Sequence, residues 1–114
     1  MGVQVESATA LNWEARMHTV VRTYSGKGAA ETIDLVIAHK RDVKKLMRSV
    51  KGFVDYTVIK TEDGGFTVTL ARTEKANAAI TAKAREWVVA NAKHLKAKPA
   101  KVMGGKVSMS IAAA

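Results

Sequence analysis

Residues 51–71 read KGFVDYTVIKTEDGGFTVTLA, and this stretch decides the fold. Gly52 is a stop signal for whatever helix precedes it, because a helix commonly ends on a residue with positive φ. The run at 53–60 is rich in β-branched and aromatic residues, with Val54, Tyr56 and Val58 on one face and Phe53, Thr57 and Ile59 on the other. Asp63-Gly64-Gly65 supplies the positive-φ positions of a tight hairpin. The following run alternates cleanly, Phe66, Val68 and Leu70 against Thr67, Thr69 and Ala71. The apolar set is expected to face the core. A hairpin therefore occupies the middle of the chain.

Long helical patterns lie on both sides of that hairpin. Upstream, residues 29–50 carry Ile33, Val36, Ile37, Val43, Met47 and Val50 at helical spacing, with Glu31 in the first turn and basic residues in the last. Downstream, Thr73 is an N-cap signal for a helix over 74–95 whose stripe is Ile80, Ala84, Trp87, Val88, Asn91 and Leu95. A β-rich run at 17–24 precedes the first helix, broken by Ser25-Gly26-Lys27-Gly28. After a loop at 96–105 with Pro99 and Gly104-Gly105, residues 106–111 alternate again, with Val107, Met109 and Ile111 on one side. The order is strand, helix, strand, strand, helix, strand. It predicts an α+β fold, a ferredoxin-like βαββαβ sandwich with a four-stranded antiparallel sheet and two helices on one face. The other sheet face is left bare, which predicts a homodimer formed through it. Residues 1–16 show no sustained period and are expected to form a flexible arm, with Trp13 docking on the domain that spans 17–114.

With 114 residues the chain is a single domain by length. It has no cysteine, which excludes disulfides, thiol nucleophiles and thiolate metal sites. No apolar run is long enough to span a bilayer and no secretory signal pattern opens the chain, so a cytoplasmic location without membrane contact is expected. Nineteen basic and ten acidic residues leave a net charge of +9. The excess is concentrated at 40–51, where six basic residues meet Asp42 alone, and at 93–106, where five lysines meet no acid. Such patches attract anionic partners in general. Nucleic acid is disfavoured as the partner, because aromatic residues are only 5% and no basic strand interleaves them for base stacking. Gly26-Lys27-Gly28 before a helix lacks the full spacing of a phosphate loop.

Six residues carry candidate chemistry. Trp87 and Asn91 are four apart, so they share a helix face and could form an aromatic wall and a hydrogen-bonding group of a pocket. The plainer alternative makes Trp87 core and bonds Asn91 to neighbouring backbone. Lys40 falls between Ile37 and Val43 in the first helical stripe, where it either meets an anionic ligand group or snorkels to solvent. His18 and Arg22 share a strand face with Val20 and Tyr24, offering a base and an anion-holding cation, or else lining an interface. Tyr56 adds a phenol. The three histidines, His18, His39 and His94, are too scattered to form a metal site.

The strand at 17–22 (MHTVVR), the junction at 50–56 (VKGFVDY) and the Asp63-Gly64-Gly65 hairpin together resemble the dimeric α/β-barrel superfamily, and within it the antibiotic-biosynthesis-monooxygenase-like domains. The resemblance runs over roughly residues 17–111. It implies a ferredoxin-like monomer whose sheet packs on that of a second copy, and a ligand held between helices and sheet. It also implies a cofactor-independent monooxygenase-like activity on a small aromatic or enolisable ligand, with His18, Arg22 and Asn91 as catalytic candidates and Trp87, Lys40 and Tyr56 as ligand-binding ones. No cofactor is expected on that reading. Haem-degrading members use an asparagine on the first strand with a tryptophan and a histidine on the second helix. Here the first strand has no asparagine and His94 sits near the helix end, so that chemistry is disfavoured. The alternative is a non-catalytic, stress-related dimer that binds a small ligand or an anionic partner.

Overall fold

The computed structural model describes residues 17–113, so the expected arm over 1–16 and Trp13 lie outside the described residues. The elements in chain order are β1 (His18–Ser25), α1 (Ala29–Ala38), α2 (Lys40–Arg48), β2 (Phe53–Thr61), β3 (Gly64–Ala71), α3 (Glu74–Ala92) with a 3-10 turn (Lys93–Leu95), and β4 (Lys101–Lys106). The sheet order is β2-β3-β1-β4 and each neighbouring pair is antiparallel. This is the ferredoxin-like sandwich read from the sequence, with its helices on one face.

Register decides which side chains lie under the helices. His18, Val20, Arg22 and Tyr24 of β1 are all buried, and their β3 partners are Ala71, Thr69, Thr67 and Gly65. A strand exposes alternate residues to opposite faces, so Thr67, Thr69 and Ala71 must share the helix side. They are buried, whereas Phe66, Val68 and Leu70 are half-buried on the open face. The expected orientation of β3 is thus reversed. Gly64 and Gly65 explain part of this. The turn itself is Glu62-Asp63, and both glycines belong to β3. A Cβ at Gly65 would press on Ile33 Cγ1 at 3.0 Å, so the missing side chain makes the space that fully buried Ile33 fills. Asp63 then accepts a hydrogen bond from Gly26 N at 3.2 Å, tying the hairpin to the β1–α1 loop.

The single first helix expected over 29–50 is broken at His39, whose φ and ψ are −102° and 32°. The break preserves the buried stripe, because Ile33 and Val36 on α1 continue as Val43 and Met47 on α2. His39 is held there on both sides. Its Nδ1 lies 2.9 Å from the Leu35 carbonyl, and its ring meets Trp87 edge-on at 5.6 Å. The core proper gathers Val36, Val43, Met47, Ala71 and Ile80, with Phe53, Tyr56 and Trp87 half-buried around it. Thr73 caps α3 as expected, its hydroxyl accepting from Ala76 N at 3.0 Å.

The fourth strand lies earlier than the sequence pattern suggests, at Lys101–Lys106 rather than 106–111. Gly104 is central to this. It faces Val20 across the β1–β4 ladder, and a Cβ there would meet His18 Cε1 at 3.1 Å and Val20 Cγ2 at 3.2 Å. Pairing ends at His18↔Lys106, where β1 begins, and beyond it only Val107 N reaches back to Met17 O at 2.9 Å. Met109 and Ile111 therefore stand exposed instead of completing a strand. Replacing Ile33 by Ala removes a fully buried side chain from the α1–sheet seam and is expected to lower stability by about 2–5 kcal/mol. Chemical denaturation of the variant checks this.

Candidate functional site

The helix break and the start of β2 bound a cleft of about 650 Å³. Its walls are apolar, with Val36, Val43, Met47 and Phe53 prominent, and Lys40 and Tyr56 are both in its lining. The break at His39 is what delivers Lys40 to this rim. The sequence places Lys40 mid-stripe, but as the first residue of α2 it is exposed and the buried stripe resumes at Val43. Lys44 and Arg48 follow it one and two turns on, so one edge of the cleft is cationic. Asp55 is the carboxylate of the lining. It stands beside an irregularity in the β2–β3 register between Phe53 and Asp55, which a strict period-two reading does not reveal.

Tyr56 forms the inner end of the cleft. Burial pushes its phenol up to about 12, and the neighbouring Tyr24 adds to the rise. The Thr67 hydroxyl and the Arg22 charge favour the ionised form and reduce the shift. The Thr67 hydroxyl is near enough to act on the phenol but makes no well-formed hydrogen bond in this geometry. Tyr56 is consequently a neutral hydrogen-bond donor at ordinary pH, unsuited to serve as a base.

The other candidates are dispersed. Trp87 lies behind Tyr56, where the space enclosed with Tyr24, Met47 and Ala84 is only about 10 Å³. That is about the room of one water and no more. Asn91 is exposed and its amide donates to the carbonyl of Trp87 at 2.8 Å, so it is bonded within its own helix. Ala92 takes the buried position that the stripe gave to Asn91. His18 is buried at the far end of β1 against Asn77. The sequence reading passed over Asn77, although it stands three before Ile80 on the same face. It is fully buried, and its amide donates to His18 O at 2.8 Å and Thr69 O at 3.1 Å, pinning the start of α3 to two strands.

Arg22 is also buried, at 5% exposure. Its Nε and Nη2 donate to the Tyr24 hydroxyl at 3.2 and 2.9 Å, and Nη1 approaches Thr81 O at 3.4 Å. It borders a second cavity, of about 550 Å³, between α3 and β4. The six residues singled out from sequence are thus divided. Lys40 and Tyr56 come together, Trp87 backs them, and Arg22, His18 and Asn91 each stand elsewhere. Among the described residues no three His, Asp or Glu side chains gather as metal ligands, and no helix is long and apolar enough to cross a membrane.

The raised Tyr56 value carries a stability consequence. The unfolded chain loses this proton near 10.0 and the folded chain only near 12, so folding favours the neutral phenol. That contribution is complete below about pH 10 and is lost as pH rises toward about 12. An ultraviolet-absorbance titration of the folded protein is expected to show one of the two tyrosines ionising near 12, and Tyr56→Phe to abolish that step.

No protein-family model and no curated protein sequence matches the chain. Solved structures do match it in fold. SnoaB, a cofactor-independent oxygenase from Streptomyces nogalater, superposes with a TM-score of 0.61 at 16% identity, over 85% of this chain and 98% of that one. A monooxygenase from the gene ActVA-Orf6 of Streptomyces coelicolor, solved with the ligand Nanaomycin D, gives 0.57 at 21% identity, over 89% and 95%. NE2512 from Nitrosomonas europaea, a protein of unknown function, gives 0.62 at 16% identity, over 90% and 98%. One architecture thus carries both assigned and unassigned members, and a reaction has to be argued from the site. The chain has the fold of the antibiotic-biosynthesis-monooxygenase-like domains that its sequence resembles.

Proposed function

We propose that this chain is a homodimeric, monooxygenase-like protein that takes a small aromatic or enolisable ligand into the cleft beside β2. The observation that carries the reading is the joint presence, in one apolar cavity of about 650 Å³, of a neutral phenol and a lysine ammonium. A cleft of that size suits a ligand of a few fused rings. The Tyr56 phenol donates a hydrogen bond to a ligand oxygen, and the Lys40 ammonium stabilises negative charge as an enolate forms. A ring methylene beside a carbonyl then has a balanced course with dioxygen. CH2 and O2 give C=O and H2O, the ligand itself supplying the electrons. On this reading the first proton passes to Asp55, the carboxylate of the cleft lining. His18, Arg22 and Asn91 stand outside this cleft, so the reading rests on Lys40, Tyr56 and the aromatic backing of Trp87.

The dimer is supported by the open sheet face. Phe66, Val68 and Leu70 meet Thr23, Val21 and Thr19 there, and Met103 beside Val21 is 71% exposed. A sheet face with such an apolar centre suits an association surface. One observation favours the alternative of a non-catalytic binder. The space next to Trp87, where the resemblance puts a ligand, is filled to about 10 Å³.

Fluorescence titration with a hydroxylated naphthoquinone and oxygen-electrode measurements on its reduced form separate the two. Binding is expected to weaken about tenfold in Tyr56→Phe, the effect of one lost hydrogen bond, and in Lys40→Ala. Equal affinity in both variants removes the cleft from the proposal. Binding without oxygen uptake selects the non-catalytic reading. Sedimentation is expected to give a dimer at micromolar protein, and Val68→Glu to give a monomer.

A further inference from the structure

We infer that the cavity between α3 and β4 is a second ligand site, built for a small organic carboxylate with an apolar body. Arg22 is its centre. A guanidinium at 5% exposure demands a counter-charge, since a buried unpaired ion is strongly disfavoured. Among the described residues no carboxylate pairs with it, and the ion pair present is Lys60 with Asp34, at the surface. Its partners are neutral, the Tyr24 hydroxyl and the Thr81 carbonyl.

The hydrogen-bond inventory specifies the missing partner. A guanidinium has five N–H donors, and three are used here, leaving two. The Tyr24 oxygen accepts two of those bonds, so its remaining capacity is its own O–H. Thr32 also borders the cavity, but the side chain is fully buried and its hydroxyl hydrogen is donated to Gly28 O at 2.7 Å. Arg22 and Tyr24 thus bring donors to the inner end of the cavity, and no carboxylate of the lining meets them. Arg85, Lys93, Lys96 and Lys98 stand around its mouth, and no acidic residue is in the lining. A carboxylate matches this set, accepting two N–H bonds in the guanidinium plane and one from the phenol. Val88, Ala92, Ala100 and Val102 make the walls apolar, which selects a ligand whose remainder is hydrocarbon.

The loop that roofs this cavity is specially shaped. Lys96 adopts φ 53° and is the non-glycine residue with positive φ among those described. The backbone around it packs on Gly28, where a Cβ would stand 3.1 Å from Ala97 N. Lys96 closes the 3-10 turn in the left-handed conformation in which helices commonly end. Here it turns residues 96–100 back toward α3 and holds Pro99 and Ala100 over the cavity. This site is distinct from the β2 cleft, and Tyr24 and Tyr56 stand between the two.

Octanoate is the probe, with octanamide as its neutral counterpart and inorganic phosphate as a small anion lacking a hydrocarbon body. Calorimetric titration is expected to show octanoate binding at least tenfold more tightly than octanamide or phosphate. Arg22→Met, which keeps the length and apolar stem, is expected to remove that preference, while Lys93→Gln/Lys98→Gln retains most of it. The Arg22 Nε–H resonance of the unsubstituted protein is expected to shift on adding octanoate, a readout that does not depend on the variant folding. Absence of octanoate binding, a preference that survives Arg22→Met, a preference lost only with the lysines, or an unmoved Nε–H resonance overturns the inference.

Discussion

The pairing of β1 with β3 is the constraint on which the remaining structure depends. His18 opposite Ala71, running through to Ser25 opposite Gly64, sends the His18, Val20, Arg22, Tyr24 series under the helices. Every other placement follows from that choice by the two-residue period of a strand. Thr67 and Thr69 are drawn inward, Phe66, Val68 and Leu70 outward, and a polar seam forms where a plain hydrocarbon core would have been simpler. The seam is incompletely satisfied. Thr67 Oγ1 and Asn77 Oδ1 are buried without partners. Each such orphan is disfavoured by roughly 1–3 kcal/mol. The ladder and the apolar cluster of Val36, Val43, Met47 and Ile80 must offset that cost.

The architecture was legible because the period changes along the chain are clear. The Thr73 cap and the Gly52 stop each have a local physical cause, and each appears where expected. What failed to read were choices made between elements. Both faces of residues 66–71 are good strand formers, so local preference could not decide which set turned inward; the partner strand did. The break at His39 was hidden because Val36 and Val43 are two turns apart, a spacing that an unbroken helix also satisfies. Gly104-Gly105 looked like a stop, yet glycine is what allows β4 to pass close over His18 and Val20. Of the candidate residues, Lys40 and Tyr56 fall in the lining of one cleft, which their separation in sequence offered no means of reading. Asn91 was misplaced by one position on its helix, and Asn77 went unnoticed because a fully buried asparagine looks, in sequence, like any polar residue in a first turn.

The two tyrosines divide the helix side of the sheet into two environments. On the β2 side the phenol of Tyr56 is pushed up to about 12 and stays protonated in an apolar cleft. On the β4 side the hydroxyl of Tyr24 is enlisted as an acceptor by a buried guanidinium. The same functional group is thus a protonated phenol lining one cavity and an acceptor that holds a guanidinium beside the other. That difference comes from neighbours, since the strands supply both residues to one face.

The outer strands have a separate bearing on how copies of this chain meet. An unpaired strand edge is a template for open-ended stacking, and natural sheets blunt it with lysine, brevity or a bulge. Here β4 is six residues long with Lys101 and Lys106 at its ends, and β2 carries the irregularity between Phe53 and Asp55. Growth of a polymer along the hydrogen-bonding direction is therefore opposed at both margins. The broad side of the sheet has no such block, and the dimer proposed there would be a two-fold contact that closes after two copies and cannot propagate.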